Sequence, residues 1–264
     1  MNNGVVILCM NKPQYAAAAF NLAFSIKHHS KVHITLLSDG VHRKLFQAQH
    51  YSPFDWIKEI SYNSICEAKL SLHKHAPYDK TLYIDADTIC RASIDELFTK
   101  FDGSNFLSNV LDPYTSWVSD EDFKSSFGLE KTQTINSSWM YWESAIVFDA
   151  ALREFNKGFD ISKLSDKWGG VLPDELFFNA ALAQTKTDAK TDEKVMYFDS
   201  KNSAFSYNEI ENYSLITFFG NKKTSHLELQ EWYDKTMFKY CTAKGIDHRF
   251  KIHEILANKL VNDK

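Results

Sequence analysis

Asp85 and Asp87 stand one residue apart at the end of an apolar run, Leu82-Tyr83-Ile84, with only the small Ala86 between them. The run reads as a buried strand, and in an α/β sheet ligands bind at the carboxyl ends of the strands. Two carboxylates crowded there repel each other unless a cation neutralises them. Carboxylates with open coordination positions suit Mg²⁺ or Mn²⁺, ions that commonly bridge to the phosphates of a substrate. The pattern predicts a metal–diphosphate site. A second triplet, Asp120-Glu121-Asp122, comes after Ser119 in a polar stretch with no apolar strand before it, and reads as a solvated helix start or loop. The first triplet differs in context, lying between the apolar strand and Ser93-Ile94-Asp95-Glu96, a capping-box pattern that opens a helix.

The chain holds neither the G-x-G-x-x-G dinucleotide fingerprint nor the G-x-x-x-x-G-K-[ST] phosphate loop. A bound nucleotide diphosphate must then be neutralised by a metal and basic side chains. Lys69, in the helix leading into the Asp85 strand, is one candidate cation. Lys222 or Lys223, after a late strand and Gly220, is another. The hydrolase motif Gly-x-Ser-x-Gly is absent. Among the histidines only His226 lies near other candidates, and it also reads as the neighbour of a helix N-cap. His73 and His75, two apart on a predicted helix, do not share a face and make a poor ligand pair.

These residues must be positioned by alternating strands and helices. Val5–Met10 is a continuous β-rich run, as expected of a strand covered on both faces. A helix follows from about Pro13 to His29, with Tyr15, Ala18, Ala19, Leu22 and Ile26 at helical spacing. Val32–Leu37 is a second strand, a short helix lies near Val41–Gln49, and a strand lies near Trp56–Ser61. Ser64-Ile65-Cys66-Glu67 caps a helix to about Ala76, ahead of the strand bearing Asp85. This rhythm implies a parallel, Rossmann-like sheet. Asn105–Val110 reads as a strand. Asp112–Trp142 is polar and aromatic with little periodicity, which predicts a long functional or mobile loop. Ala145–Phe148 restores a strand, helices follow near Ala150–Phe159 and Asp174–Ala183, and strands recur at Val195–Phe198 and Leu215–Phe219. Helices capped at Ser225 and running from about Arg249 to Leu260 close the chain.

With 264 residues, 44% hydrophobic and 14% aromatic, the chain can bury a large core and is not disordered in character. The net charge of −4 gives no general pull toward nucleic acid. From Lys222 onward nine Lys and Arg face six Asp and Glu, a local reversal that suits an anionic neighbour or an ordinary solvated helix face. The four cysteines are widely separated and form no Cys-x-x-Cys pair, the pattern of buried free thiols in a reducing compartment. No apolar run approaches the roughly 18 residues of a membrane span. The start, Met1-Asn2-Asn3-Gly4, lacks a basic region before an apolar one. The expectation is a cytoplasmic protein without a transmembrane segment.

Four segments, in order, resemble the nucleotide-sugar glycosyltransferases of the GT-A fold, and most closely family 8, the glycogenin-like and lipopolysaccharide galactosyltransferase-like enzymes. The first is the N-terminal strand with Asn11-Lys12-Pro13-Gln14-Tyr15 and an alanine-rich helix. It is similar to where the family binds base and ribose, which implicates Met10, Asn11 and Tyr15. The second runs from Lys69 through Tyr83-Ile84-Asp85-Ala86-Asp87-Thr88, close to the family's basic residue and its L-Y-x-D-x-D-x motif. The third, Pro173-Asp174-Glu175-Leu176-Phe177-Phe178-Asn179, looks like the acidic D-[QE]-x-x-x-N helix start placed against the donor sugar. The fourth, Thr217-Phe218-Phe219-Gly220-Asn221-Lys222-Lys223, is similar to the late H-F-x-G-x-x-K stretch.

The resemblance implies an α/β GT-A domain over residues 1–225, a mixed sheet flanked by helices, with residues 226–264 as a C-terminal helical extension. It implies a metal-dependent transferase that moves a sugar from a nucleotide diphosphate, a UDP-sugar foremost, to a hydroxyl of a saccharide, lipid-linked or other acceptor. Retention of configuration is implied, whereas an inverting enzyme would use Asp174 or Glu175 as general base. Asp85 and Asp87 would hold Mn²⁺ or Mg²⁺, Lys69 and Lys223 would neutralise the diphosphate, and Asp174 and Glu175 would face the anomeric carbon.

Two departures stand out. Thr217 occupies the position of the family's metal-ligating His; either nearby His226 substitutes for it or the coordination differs. Around Trp139–Ala145, where the family shows an Asn and a small-Gly pair near the acceptor, Trp142, Glu143 and Ser144 stand instead. Trp142, Glu143 and Asp112 are the acceptor candidates, and aromatics there either stack on a sugar or base or fill core. Two other readings remain: the same donor chemistry on a modified nucleic-acid base, and a non-catalytic nucleotide-sugar or glycan-binding protein.

Overall fold

In the computed structural model, which describes residues 3–11, 13–40, 52–90, 92–111, 118–164, 171–190, 195–198 and 214–218, the run Val5–Cys9 lies buried in strand β1 (Asn3–Cys9). Helix α1 (Pro13–His29) starts at a proline, whose fixed φ suits the first helical position. It ends on Lys27, His28 and His29, a basic last turn that complements the helix dipole. Strand β2 (His33–Ser38) pairs in parallel with β3 (Trp56–Glu59). Helix α2 (Ile65–Leu70) opens at Ser64, whose hydroxyl accepts from the Glu67 N–H at 3.1 Å. The helix ends sooner than Ala76, and a 3₁₀ turn over Leu72–Lys74 follows. Then come β4 (Lys80–Asp85), β5 (Thr88–Cys90), α3 (Asp95–Lys100) and β6 (Phe106–Leu111). Next are α4 (Asp120–Phe127), β7 (Thr134–Trp142), α5 (Ile146–Asn156) and α6 (Asp174–Thr185). Two short strands, β8 (Val195–Phe198) and β9 (Leu215–Phe218), close the described chain.

Six strands form one sheet in the order β3-β2-β1-β4-β7-β6, and β5-β9-β8 form a second. Both β4 and β6 run antiparallel to β7. The large sheet is therefore mixed rather than parallel throughout.

Two stretches differ from the sequence reading. The long loop expected over Asp112–Trp142 contains a helix and a central strand. Helix α4 is delimited by Ser119, whose hydroxyl accepts from the Asp122 N–H at 3.0 Å, and by Gly128 at φ 67°. The Asp120-Glu121-Asp122 triplet is its exposed first turn. Strand β7 has all nine residues buried, yet Asn136-Ser137-Ser138 interrupts its apolar pattern and hides it from a reading based on alternation. The strand expected at Ala145–Phe148 is instead the start of α5. Val147, Phe148, Ala151 and Leu152 recur at helical spacing and are buried, and a short apolar run does not distinguish the two periods.

The chain forms two compact units. One comprises the described residues of Met1–Val6, Ser61–Ile84 and Phe101–Asp192. Its core centres on Phe148, whose ring lies 4.6 Å from that of Trp142, 5.2 Å from Phe178 and 5.9 Å from Phe106. The other comprises the described residues of Ile7–Ile60, Asp85–Lys100 and Glu193 onward. In it α1, with Ala16, Ala19 and Ala23 buried, packs on β5, and the Ser25 hydroxyl accepts from the Cys90 N–H at 3.0 Å. Among the described residues no helix is long and apolar enough to cross a membrane.

Gly4 on β1 lies under the ring of Tyr78. A Cβ at this position would come within 2.2 to 2.4 Å of three ring atoms, and Tyr78 is itself buried. Gly4→Ala is expected to cost about 1–3 kcal/mol through overpacking, read as a lower urea midpoint at unchanged m-value. An unchanged midpoint would contradict this packing.

Candidate active site

In the first unit, the chemistry gathers where α2, β7 and α6 meet. Lys69, in the last turn of α2, is buried and extends its ammonium toward β7. There it donates to the Ser137 hydroxyl at 3.2 Å and lies 3.7 Å from the Asp174 carboxylate. Ser137 in turn donates its proton to Asp174 in a short hydrogen bond. The ammonium also stands 5.4 Å from the centroid of the Tyr83 ring, a favourable place for a cation. Next to Asp174, Glu175 accepts from the Asn136 side-chain amide at 3.3 Å. Both carboxylates sit in the first turn of α6, near the positive end of its dipole. One turn on, Asn179 accepts from the Ile135 N–H at 2.9 Å and ties the helix to the strand.

Every member of this set is buried, and buried charge is costly unless paired and hydrogen-bonded. Beneath it lies Cys66, whose thiol is pushed well up by burial. The negative charges of Asp174 and Glu175 push it further up, and Lys69 opposes them. The structure brings the expected Lys69, Asp174 and Glu175 together with Asn136 and Ser137, which the sequence did not single out. Asn136-Ser137-Ser138 lies six residues before Trp142. The available signal was a polar triplet in an otherwise apolar stretch.

In the second unit, Asp85 ends β4, and Ala86 and Asp87 form the tight turn into β5. Both carboxylates are half-buried. Strand β9 pairs antiparallel with β5, setting Thr217 opposite Thr88, with their hydroxyl oxygens 2.8 Å apart. The fourth motif thus reaches the residue after Asp87. Thr217 is buried and turned to Thr88. At the end of β1, Met10 is buried and Asn11 adopts a left-handed φ of 68°, a conformation asparagine tolerates. The Asn11 N–H donates to Asp39, just past β2, at 3.0 Å. Tyr15 is exposed on the first turn of α1.

The remaining candidates divide. Trp142 is core, its ring packed on Phe148. Glu143 is engaged by the Tyr141 hydroxyl and, at 2.9 Å, by the Gly103 N–H. His73 pairs with Asp149 at 3.1 Å and His75 with the Tyr62 hydroxyl at 2.6 Å, so the two histidines serve different partners. Asp112, Gly220, Lys222, Lys223 and His226 lie outside the described residues.

Among the described residues no three His, Cys, Asp or Glu side chains converge as a metal cluster. Asp85 and Asp87 nevertheless supply hard oxygen donors of the type Mg²⁺ and Mn²⁺ take, often with only one or two carboxylates and the rest from substrate phosphate and water. The donor set fits such an ion.

No protein-family model matches the chain, and no curated sequence matches it. Solved structures do. The bifunctional glycosyltransferase WbbM, in its apo form, superposes with a TM-score of 0.59 at 13% identity, over 83% of this chain and 46% of that one. The chain therefore spans less than half of WbbM. The galactosyltransferase LgtC, solved with donor and acceptor sugar analogs, matches with a TM-score of 0.54 at 18% identity, over 91% of this chain and 95% of that one. Mouse xyloside xylosyltransferase 1 matches at 0.55 and 13%, over 85% and 100%. The fold is the GT-A glycosyltransferase fold.

Removing one partner from a buried ion pair leaves the other uncompensated, at a cost of roughly 3–5 kcal/mol. Lys69→Met should lower unfolding stability by that order, and adding Asp174→Asn should recover part of the loss in the double mutant. Equal destabilisation by single and double variants would argue against a coupled pair.

Proposed function

We propose that this protein is a metal-dependent glycosyltransferase that moves a sugar from a nucleotide diphosphate, UDP foremost, to an acceptor hydroxyl. The observation that carries the reading is the buried set Lys69–Ser137–Asp174 with Asn136–Glu175, on a fold shared with sugar-transferring enzymes. A polar cluster of this size weakens a hydrophobic core, and its cost is rational where a substrate uses it.

Each group has a task. Asp174 and Glu175 accept hydrogen bonds from hydroxyls of the donor sugar and stabilise positive charge developing at the anomeric carbon. Asn136 and Ser137 fix the directions in which those carboxylates face. Lys69 supplies positive charge toward the leaving diphosphate. Asp85 and Asp87 hold Mn²⁺ or Mg²⁺, which when bound supplies Lewis-acid neutralisation of the nucleotide diphosphate. Lys223 adds to the same charge balance, and Met10, Asn11 and Tyr15 receive the nucleoside. Retention at the anomeric carbon is implied by the family resemblance and is read from the anomer of the product. The buried free thiols Cys9, Cys66 and Cys90 support a reducing compartment such as the cytoplasm.

One observation favours a second reading. Thr217 stands where the resemblance places a metal-ligating histidine, which suits a protein that binds nucleotide sugars without turning them over.

A thermal-shift panel of nucleotide sugars, with and without Mn²⁺, followed by donor hydrolysis, separates the two. Transfer chemistry predicts Mn²⁺-dependent stabilisation by a UDP-sugar together with slow hydrolysis. Asp87→Ala and Glu175→Ala should each reduce turnover by about 100-fold or more, the scale of losing one electrostatic stabiliser. Binding without hydrolysis would favour the non-catalytic reading. Near-normal turnover in Asp87→Ala would remove the metal assignment.

A further inference from the structure

Strand β7 leaves regular pairing at one place. Ser108 on β6 lies opposite Met140, but its neighbour Asn109 lies opposite Asn136, so Ser137, Ser138 and Trp139 form an excess on β7. In a regular strand, adjacent side chains point to opposite faces. Asn136 and Ser137 nevertheless both bond to the first turn of α6, one through Glu175 and the other through Asp174. A bulge permits this, because extra residues twist the strand and re-aim its side chains.

The Ser108 hydroxyl holds that bulge closed. It lies 2.8 Å from the carbonyl oxygen of Asn136 and 3.0 Å from that of Trp139, the two carbonyls that bracket the serines. Its single proton is shared between them. Ser108 is fully buried. On the opposite side, Ser137 is held by Lys69 and Asp174 and Asn136 by Glu175. The Ser138 N–H bonds to the Asn136 side-chain oxygen at 3.1 Å, inside the bulge itself. Ser138 Oγ and Asn109 Nδ2 are buried and have no partner among the described residues.

We propose that Ser108 is a positioning residue for the site: by clamping the β7 bulge, it sets Asn136 and Ser137 against the two carboxylates of α6. Its own hydrogen bonds run to the β7 backbone, so it acts through that strand. The kinetic side of the proposal rests on the sugar-transfer reading, while the structural side stands apart from it.

Hydrogen exchange on the full chain tests the structural side without substrate. Ser108→Ala should speed exchange at least tenfold both in β7 and in the first turn of α6. Faster exchange confined to β7 and β6, or none, would overturn the proposal. Donor hydrolysis with UDP-galactose, UDP-glucose and Mn²⁺ tests the kinetic side. Ser108→Ala should lose at least tenfold in kcat with the donor KM within twofold. In a Ser137→Ala background the same change should add little, since both act on one geometry. Losses that simply multiply, or a fall in Tm with kcat per folded molecule unchanged, would overturn it. If Ser108→Ala does not fold, Ser108→Cys, which keeps the size and a weak donor, should fold with an intermediate kcat. A wild-type kcat in Ser108→Cys would overturn the proposal. A wild-type protein that hydrolyses no nucleotide sugar would sink the sugar-transfer reading, and the exchange result would still decide the clamp.

Discussion

An ion pair removed from water, Lys69 with Asp174, is the constraint around which the first unit is organised. Taking two charges into a protein interior costs several kcal/mol each, and their attraction offsets this only with good geometry and further hydrogen bonds. Three elements meet to provide them. Helix α2 brings the ammonium, β7 the Ser137 hydroxyl and α6 the carboxylate in its dipole-favoured first turn. The aromatic core around Phe148 is the apolar counterpart, packing α5 and α6 against β6 and β7. Hydrophobic burial holds the layers together, and the polar set fixes how they are aligned.

That division explains an apparent contradiction in β7. A wholly buried strand should be apolar along its length, as β1 is from Val5 to Cys9. Instead β7 carries three consecutive small polar residues at its middle, with large side chains on either side. Small side chains leave room for a register break, and polar ones satisfy the carboxylates facing them. The sequence of β7 is a compromise between packing and the needs of α6.

How much of this was legible depends on whether the physics is local. The strand ending at Asp85, the Ser64 cap and the start of α6 at Asp174 are local patterns, set by a few neighbouring residues, and all were readable. The GT-A fold was readable too, because four short segments stood in order. Strand β7 was not, because Asn136 and Ser137 find their partners in Glu175, Asp174 and Lys69, 37 to 68 residues away. The misread at Ala145–Phe148 has another cause. Four apolar residues fit both periods, and only the burial of Ala151 and Leu152 shows the helical one. Asn136 and Ser137 were passed over for the same reason as their strand.

The carboxylate pair at the end of β4 poses a different question, because fold does not dictate activity. Identity of 13–18% to sugar-transferring neighbours preserves a topology, and topology alone leaves each side chain free to drift. Thr217 differs from the residue that the resemblance assigns to its position. Its hydroxyl closes on Thr88, turning a position that resemblance assigns to a metal ligand into a clip between β5 and β9. A clip there still serves the turn that carries Asp85 and Asp87, by fixing the strand that leaves it. Under the proposed function, the two carboxylates and the phosphates of the donor would share the cation, a division of ligands that hard divalent ions accept readily. On this view metal and nucleotide sugar bind as a coupled pair, each strengthening the other by the same factor, as linkage requires.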